Sequence, residues 1–327
     1  MARLQSHLQE FKRLSRPGPY EYEWVFHHDG GQHETHLVFG VMVHGNEIGS
    51  LPGALKVIEA LRNGQLQFGG KATWFIGNPE AGLENKRFLE SDLNRVFYAS
   101  DTDNHEFRRA RQIMPILDDC HVFIDFHQTI LETRQPFYIF PWNHRGWLWA
   151  RALQAAKVWV TRHPGQAFST GTCCADEYVR IQDKPGLTVE LSAKGFSDEA
   201  ERIAIQTMVE ALAIVDAEQT GEANLATLAE AKPDIAFFHT VHREPFASSE
   251  LSLKPGLVNF MAVHTGAHLS LPNSPSLTAP TQGMLLFPKY PPRENGLAKT
   301  PMPKEIYRII EPLPKHPSIL YATKASP

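Results

Sequence analysis

The feature that most restricts the fold of this chain is a repeated alternation of apolar runs with amphipathic segments. Residues 37–43, LVFGVMV, are apolar throughout and run directly into His44-Gly45-Asn46-Glu47. From Gly49 the spacing changes. Leu51, Leu55, Ile58 and Leu61 recur at helical intervals, and Asn63-Gly64 supplies a stop. Further apolar runs follow in ATWFIGN, HVFIDF, KVWV and LTVELS. Between and after them, helical patterns run over about 103–119, about 143–156 and from Ser197 to about Glu218. This alternation predicts an α/β fold with a mixed sheet flanked by helices.

The ends of the chain read differently. ARLQSHLQEFKRL places Leu4, Leu8, Phe11 and Leu14 on one helical face. YEYEWVF alternates apolar and acidic residues, and Asp29-Gly30-Gly31 separates it from the next apolar run, which predicts a hairpin. After Thr220 a polar, Ala-rich stretch, 221–234, reads as a linker. Beyond it IAFFHTVH, LVNFMAV, AHLSL, GMLLFP, IYRII and SILYA are short β-like runs broken by Pro and Gly. They predict a smaller C-terminal all-β domain over 221–327, after a first domain over 1–220.

Composition narrows the function. The 327 residues carry a net charge of -4, so no broad basic surface for nucleic acid is expected. An anionic small molecule would have to be met by locally placed Arg or Lys. The cysteines Cys120, Cys173 and Cys174 form no metal-binding or disulfide pattern and read as structural. No stretch approaches the roughly 20 apolar residues of a membrane span, and the first 16 residues do not resemble a signal peptide. The expectation is a cytoplasmic protein with no membrane partner.

His44-x-x-Glu47 is a candidate metal pair, but the tetrapeptide alone carries little weight. His7-x-x-Glu10 repeats it inside the N-terminal helical pattern, where it reads as a surface coincidence. Context distinguishes the two. His44 follows an apolar strand and precedes a helix, and open α/β sheets bind ligands beyond the carboxyl ends of their strands. His127, in FIDFHQT, also ends an apolar run and is the candidate third ligand, against the alternative of a satisfied core histidine. His36 and His121 stand at the starts of their runs, the wrong end. Glu190 lies within LTVELS, where a lone acid is costly to bury without a partner or a task. It is either a general base or a salt-bridged structural acid. The segment 78–97 holds Arg87, Asp92, Asn94 and Arg95, which could clamp an anion but on their own read first as a solvated loop.

Taken in order, H44-G-N-E47, N78-P with Ala81, R87-F-x-x-x-D92-L-N94-R95-x-F97, D125-F-H127 and L-T-V-E190-L resemble the succinylglutamate desuccinylase/aspartoacylase family, within the zinc carboxypeptidase-like clan. The resemblance covers most of residues 35–195. It implies a zinc carboxypeptidase-like sheet and one Zn2+ per subunit, held by His44, Glu47 and His127. It implies that Glu190 is the general base and that Arg87 polarises the scissile carbonyl. Asn94 and Arg95 are implied as a clamp for a substrate carboxylate. Arg180, ten residues before Glu190, and Tyr290 in FPKYPP are similar in placement to further substrate-binding residues of the aspartoacylase branch. The implied reaction is hydrolysis of the amide bond of a small anionic N-acyl amino acid. A zinc carboxypeptidase acting on peptides and a silent zinc- or ligand-binding protein are the alternatives.

Overall fold

A computed structural model describes residues 1–299 and 302–321. Helix α1 (Ala2–Leu14) buries the stripe Leu4, Leu8, Phe11 and Leu14. Strands β1 (Val25–Asp29) and β2 (His36–Val41) follow, then α2 (Leu51–Arg62), whose first turn takes Pro52. Next come β3 (Lys71–Ile76), α3 (Pro79–Leu83), a 3-10 turn at Leu93–Arg95 and α4 (His105–Asp119). β4 (Val122–Thr129), β5 (Phe137–Tyr138), α5 (His144–Leu153) and β6 (Val158–Thr161) lead to α6 (Ala175–Arg180), β7 (Gly186–Ala193) and α7 (Asp198–Thr220).

The expected hairpin does not form. β3 lies between β1 and β2, antiparallel to the first and parallel to the second. A hairpin favours a connection of about two residues, whereas six residues, 30–35, separate β1 from β2. That length lets the chain cross β3, and Gly30 and Gln32 donate to the carbonyls of Gly70 and Gly69 on the way.

The stretch read as a linker contains α8 (Leu225–Glu230). Of the β-like runs after it, three become strands: β8 (Ala236–Pro245), β10 (Gly283–Leu286) and β13 (Glu305–Pro312). LVNFMAV keeps only β9 (Ala262–Val263), and β11 (Arg293–Glu294) with β12 (Leu297–Ala298) makes a separate small hairpin. AHLSL makes only isolated bridges. SILYA departs further. Its described part lies in helix α9 (Pro317–Tyr321), which Pro317 opens, while Ala322 lies outside the described residues.

Eleven strands form one mixed sheet in the order β1-β3-β2-β4-β7-β5-β6-β8-β13-β10-β9. β6 pairs in parallel with β8, so the C-terminal strands extend the same sheet. They also pack a core of their own, with Phe246, Leu253, Leu285 and Ile306 at its centre.

The sheet is covered on both faces, which explains its continuous apolar runs. Leu37, Phe39, Ile124, Phe126, Leu187 and Val189 point toward α1, α2, α5 and α7. Val38, Phe75 and Phe123 point toward α4 and α6. Strand side chains alternate, so Asp125 and His127 share the face of Phe123, and Thr188 and Glu190 lie opposite the face of Val189. The polar residues of β4 and β7 thus emerge together on the α4/α6 side. Phe123 is fully buried and stacks on Phe75 at 5.9 Å between centroids. Phe123→Ala is expected to cost about 3–5 kcal/mol, read as a lower urea midpoint at unchanged slope.

Candidate active site

The parallel strands β2, β4 and β7 carry the site. Their register sets His127 directly beside Glu190. After β2 the chain turns out of the sheet at Met42, whose φ is 54°. A tight turn follows in which the Glu47 N–H donates to the His44 carbonyl at 3.0 Å, so both side chains point the same way. Gly45 is required there. A Cβ at this position would lie 2.4 Å from the backbone nitrogen of Gly82 and 2.7 Å from the carbonyl carbon of Ala81. Helix α3 therefore packs directly on the turn. Asn78 caps that helix through Ala81, which gives the Asn-Pro-x-Ala pattern its structural reason.

His44, Glu47 and His127 are all nearly fully buried. His44 Nδ1 lies 2.9 Å from Glu47 Oε1, and His127 Nδ1 lies 2.8 Å from Glu47 Oε2. The two Nδ1 atoms are 3.1 Å apart. Each imidazole's outer nitrogen meets a carboxylate: His44 Nε2 lies 3.0 Å from Asp92 and His127 Nε2 lies 2.8 Å from Asp125. This arrangement turns both Nδ1 lone pairs inward and is the usual support of metal-binding histidines. Among the described residues this is the one group of three or more such side chains able to hold a metal ion, with ligand atoms within 4.8 Å of one another. His7 and Glu10 belong to no such group. Glu10 instead pairs with Arg13. At the far end of the strands His36 gives its backbone N–H to His121 Nδ1, and its Nε2 lies 2.7 Å from Thr73 Oγ1.

The electrostatics favour a cation. Burial opposes the ionisation of Glu47, but His44 and His127 outweigh it and hold the carboxyl well below its usual range. Burial also opposes the charged form of His127, yet Asp125 and then Glu47 hold it well above the ordinary imidazole value. The two shifts have opposite sources: the imidazoles that face Glu47 lower its carboxyl, and the two carboxylates that face His127 raise its imidazole. The donor set, two neutral-capable imidazoles and one carboxylate, fits the bonds of about 2.0–2.2 Å that zinc makes in open catalytic sites.

Glu190 faces this group from β7. Its Oε2 is buried without a hydrogen-bond partner among the described residues. It is therefore not a salt-bridged structural acid. Burial first, and Glu47 second, push its carboxyl up to about 8. Arg87 completes the centre, donating from Nη1 to Glu47 at 2.9 Å and from Nε to Asp92 at 3.1 Å.

Two residues without a motif hold this arrangement. Glu106 on α4 is fully buried and accepts from Asn78 and from the backbone N–H groups of Leu89, Glu90 and Ser91, at 2.7–3.1 Å. It shapes the loop that carries Arg87 and Asp92. Gln128, next to His127, accepts from the Gly49 N–H, donates to the Ala193 and Gly195 carbonyls, and gives its own backbone N–H to Glu47. It ties the metal-type turn to the ends of β4 and β7.

The residues expected to touch substrate divide into two groups. Asn94 and Arg95 line a cavity of about 480 Å³ beside the histidines. Asn94 is already engaged, with Nδ2 3.2 Å from His127 Nε2 and Oδ1 accepting from the Ala175 N–H. Among the described residues Arg95 bonds only the Asn94 carbonyl and Cys174 Sγ, both through Nη1. Arg180 and Tyr290 do not line this cavity. Arg180 is paired with Asp176 and donates to the Gly186 carbonyl, and the Tyr290 hydroxyl donates to the Lys254 carbonyl. The cavity wall includes instead Arg162 and Arg308, which the sequence reading missed. Arg308 was legible: a lone charge inside the apolar run IYRII raises the same question as Glu190 inside LTVELS. Arg162, after β6, carries no such mark.

The family model for the succinylglutamate desuccinylase/aspartoacylase catalytic domain matches residues 35–216. The chain belongs to this family. It is 26% identical over 162 residues to the succinylglutamate desuccinylase of Pseudomonas paraeruginosa, over 46% of this chain and 44% of that protein. It is 40% identical over 63 residues to a probable aspartoacylase of Acaryochloris marina, over 16% of this chain and 21% of that one. The matches thus span less than half the length of these relatives. The fold is that of the solved succinylglutamate desuccinylase of Chromobacterium violaceum, with a TM-score of 0.67, 18% identity and coverage of 95% and 98% of the two chains. The succinylglutamate desuccinylase/aspartoacylase structure from Rhodobacter sphaeroides gives 0.65 at 15% identity, over 88% of each chain.

Glu106→Gln is expected to destabilise the protein by about 1–3 kcal/mol. It should also speed amide exchange at Leu89, Glu90 and Ser91 more than elsewhere in the chain, as read by hydrogen–deuterium exchange.

Proposed function

We propose that this chain is a zinc-dependent amidohydrolase that cleaves the amide bond of a small, anionic N-acyl amino acid. The observation that carries the reading is the convergence of His44, Glu47 and His127 beside an unpartnered carboxylate, Glu190, in one cavity. A silent metal-binding protein has no need of that acid.

His44, Glu47 and His127 would hold the zinc ion. Bound zinc supplies Lewis acidity and makes water available as a nucleophile near neutral pH. Asp92 and Asp125 keep the two imidazoles oriented with Nδ1 inward. Glu190 takes a proton from the attacking water and returns it to the amine nitrogen as the amide bond breaks. A carboxyl raised toward neutrality is suited to both halves of that exchange. Arg87 lends its guanidinium to the oxyanion that develops on the former carbonyl. Arg95 clamps a substrate carboxylate, so that attack on the amide becomes effectively intramolecular. Asn94, whose Oδ1 accepts from the Ala175 N–H, fixes the turn that carries Arg95 against α6.

Residues 1–220 form the catalytic part in this reading, and residues 221–327 supply a wall of the cavity through Asn259, Phe287, Lys289 and Arg308. A volume of about 480 Å³ suits a small molecule, which disfavours a peptide-trimming carboxypeptidase.

Chelation should abolish turnover and lower the melting temperature, and added Zn2+ should restore both. Glu190→Gln should keep zinc, by metal analysis, and reduce kcat by at least about 100-fold. Retention of wild-type kcat would require another base. On a panel of N-acyl amino acids and short peptides, turnover is expected on the former. Peptide cleavage as the main activity would overturn the assignment.

A further inference from the structure

The cavity has an apolar lip. Phe88 and Ile130 line it, and they are 36% and 53% exposed. A single exposed apolar side chain is ordinary on a protein surface. These two differ because fixed backbone presents them at the mouth of a site. Phe88 sits between two anchored groups. The Arg87 carbonyl before it accepts from the Gly45 N–H at 3.0 Å, and the Leu89 N–H after it donates to the buried Glu106 carboxylate at 2.7 Å. Ile130, just after β4, is held as closely. Thr129 Oγ1 donates to the Leu131 carbonyl at 2.5 Å, and the Glu132 carbonyl accepts from the N–H of Asn259, which is 1% exposed. A loose loop is free to fold such side chains away from water, whereas these two loops hold them out. Leu131 and Ile139 add apolar surface to the same cavity.

The site says which part of a substrate meets this lip. In the deacylase reading, on which this assignment rests, Arg87 serves the acyl carbonyl and Arg95 the carboxylate of the amino acid. The acyl chain is bonded to that carbonyl carbon, so it leaves the centre from beside Arg87, and Phe88 is the next residue. Arg87 and His127 meet the two oxygens of Glu47 at 2.9 and 2.8 Å. The loop that carries Phe88 and the strand end that carries Ile130 therefore converge on one carboxylate. Neither side chain has a hydrogen-bonding group, so what they recognise is apolar surface.

We propose that Phe88 and Ile130 form a subsite for the acyl chain, so that the preferred substrate is an N-acyl amino acid whose acyl group is apolar and longer than acetyl. An acetyl group ends one carbon beyond the carbonyl and leaves the lip in water. Each further methylene removes apolar area from water on both partners. Because the lip is already in place, the protein orders no loop to bind the chain, and the gain is not lost to that cost.

The test is calorimetric binding of acetate and hexanoate to the zinc-loaded protein. These are the acids that deacylation of an N-acetyl and an N-hexanoyl amino acid releases. A fully buried methylene is worth about 4-fold in affinity and a half-open lip gives less, so hexanoate is expected to bind at least about 10-fold more tightly than acetate. Phe88→Ser and Ile130→Ser should each reduce that ratio by at least about 3-fold. Phe88→Leu, which keeps an apolar side chain, should retain most of it. Circular dichroism identifies a variant that fails to fold, and the ratio in the unaltered protein carries the test in that event. Equal affinity for the two acids overturns the subsite. So does a ratio unchanged in both serine variants, which would put the chain elsewhere in the cavity. Turnover of N-acetyl-, N-butyryl- and N-hexanoylglutamate separates this subsite from the reading it rests on, with kcat/KM expected to rise along the series. A kcat/KM that is highest for the acetyl compound overturns the subsite and leaves the deacylase. A hexanoate preference that the serine variants lose, without turnover of any N-acyl amino acid, sustains the subsite and overturns the deacylase.

Discussion

His127 and Glu190 stand side by side because β4 and β7 pair in parallel from Phe123 and Gly186 onward. Slipping that register by one residue would turn Glu190 onto the opposite face, among the buried side chains packed on α7. The apolar residues on both sides of these strands forbid the slip. Leu187 and Val189 fill one face, and Phe123 fills the other. The chemistry of the site thus depends on how hydrophobic side chains pack several residues away.

Bringing this many charges out of water is costly, and the surroundings offset the cost in a definite order. Asp92 and Asp125 bind the outer nitrogens of the histidines, and Arg87 bridges Glu47 and Asp92. Glu106 and Gln128 then hold the backbone that carries those groups. Two oxygens of the network stay without a partner among the described residues, Asp125 Oδ1 behind His127 and Glu190 Oε2 in front of it, and the second is the one that faces the histidines.

Much of this was legible from the sequence. β2, β3, β4, β6 and β7 appear as apolar runs, because both faces of the sheet are covered there, whereas edge strand β1 has a polar end and the two residues of β5 are too few to leave a pattern. His44, Glu47, His127 and Glu190 were legible by their positions in or just after such runs. The hairpin failed because residues 30–35 are long enough to step over a strand, and strand order leaves no local trace. SILYA failed because a four-residue apolar run reads alike as strand or helix, and Pro317 decided it. Glu106 and Gln128 act on backbone groups distant in sequence, which no motif records. Arg180 matched by spacing alone, and spacing says nothing of the Asp176 one helical turn away that claims its guanidinium. Among the described residues no helix is long and apolar enough to cross a membrane.

The cavity is lined by two stretches of chain with different obligations. Residues from His44 to Glu190 are bound to one another through the buried carboxylates, so a change in any of them disturbs the rest. Phe287, Lys289 and Arg308 touch the same space from β10 and β13, which pack partly in a core of their own and partly, through Leu286 and Ile310, with Phe137 and Val158. Phe287 stands 6.1 Å from Phe137, and Phe137 pairs with Glu190, so the far wall is tied to the strand that presents the unpartnered acid. A change of side chain on that wall is therefore felt at the carboxylate beside the histidines, through close-packed neighbours rather than through solvent.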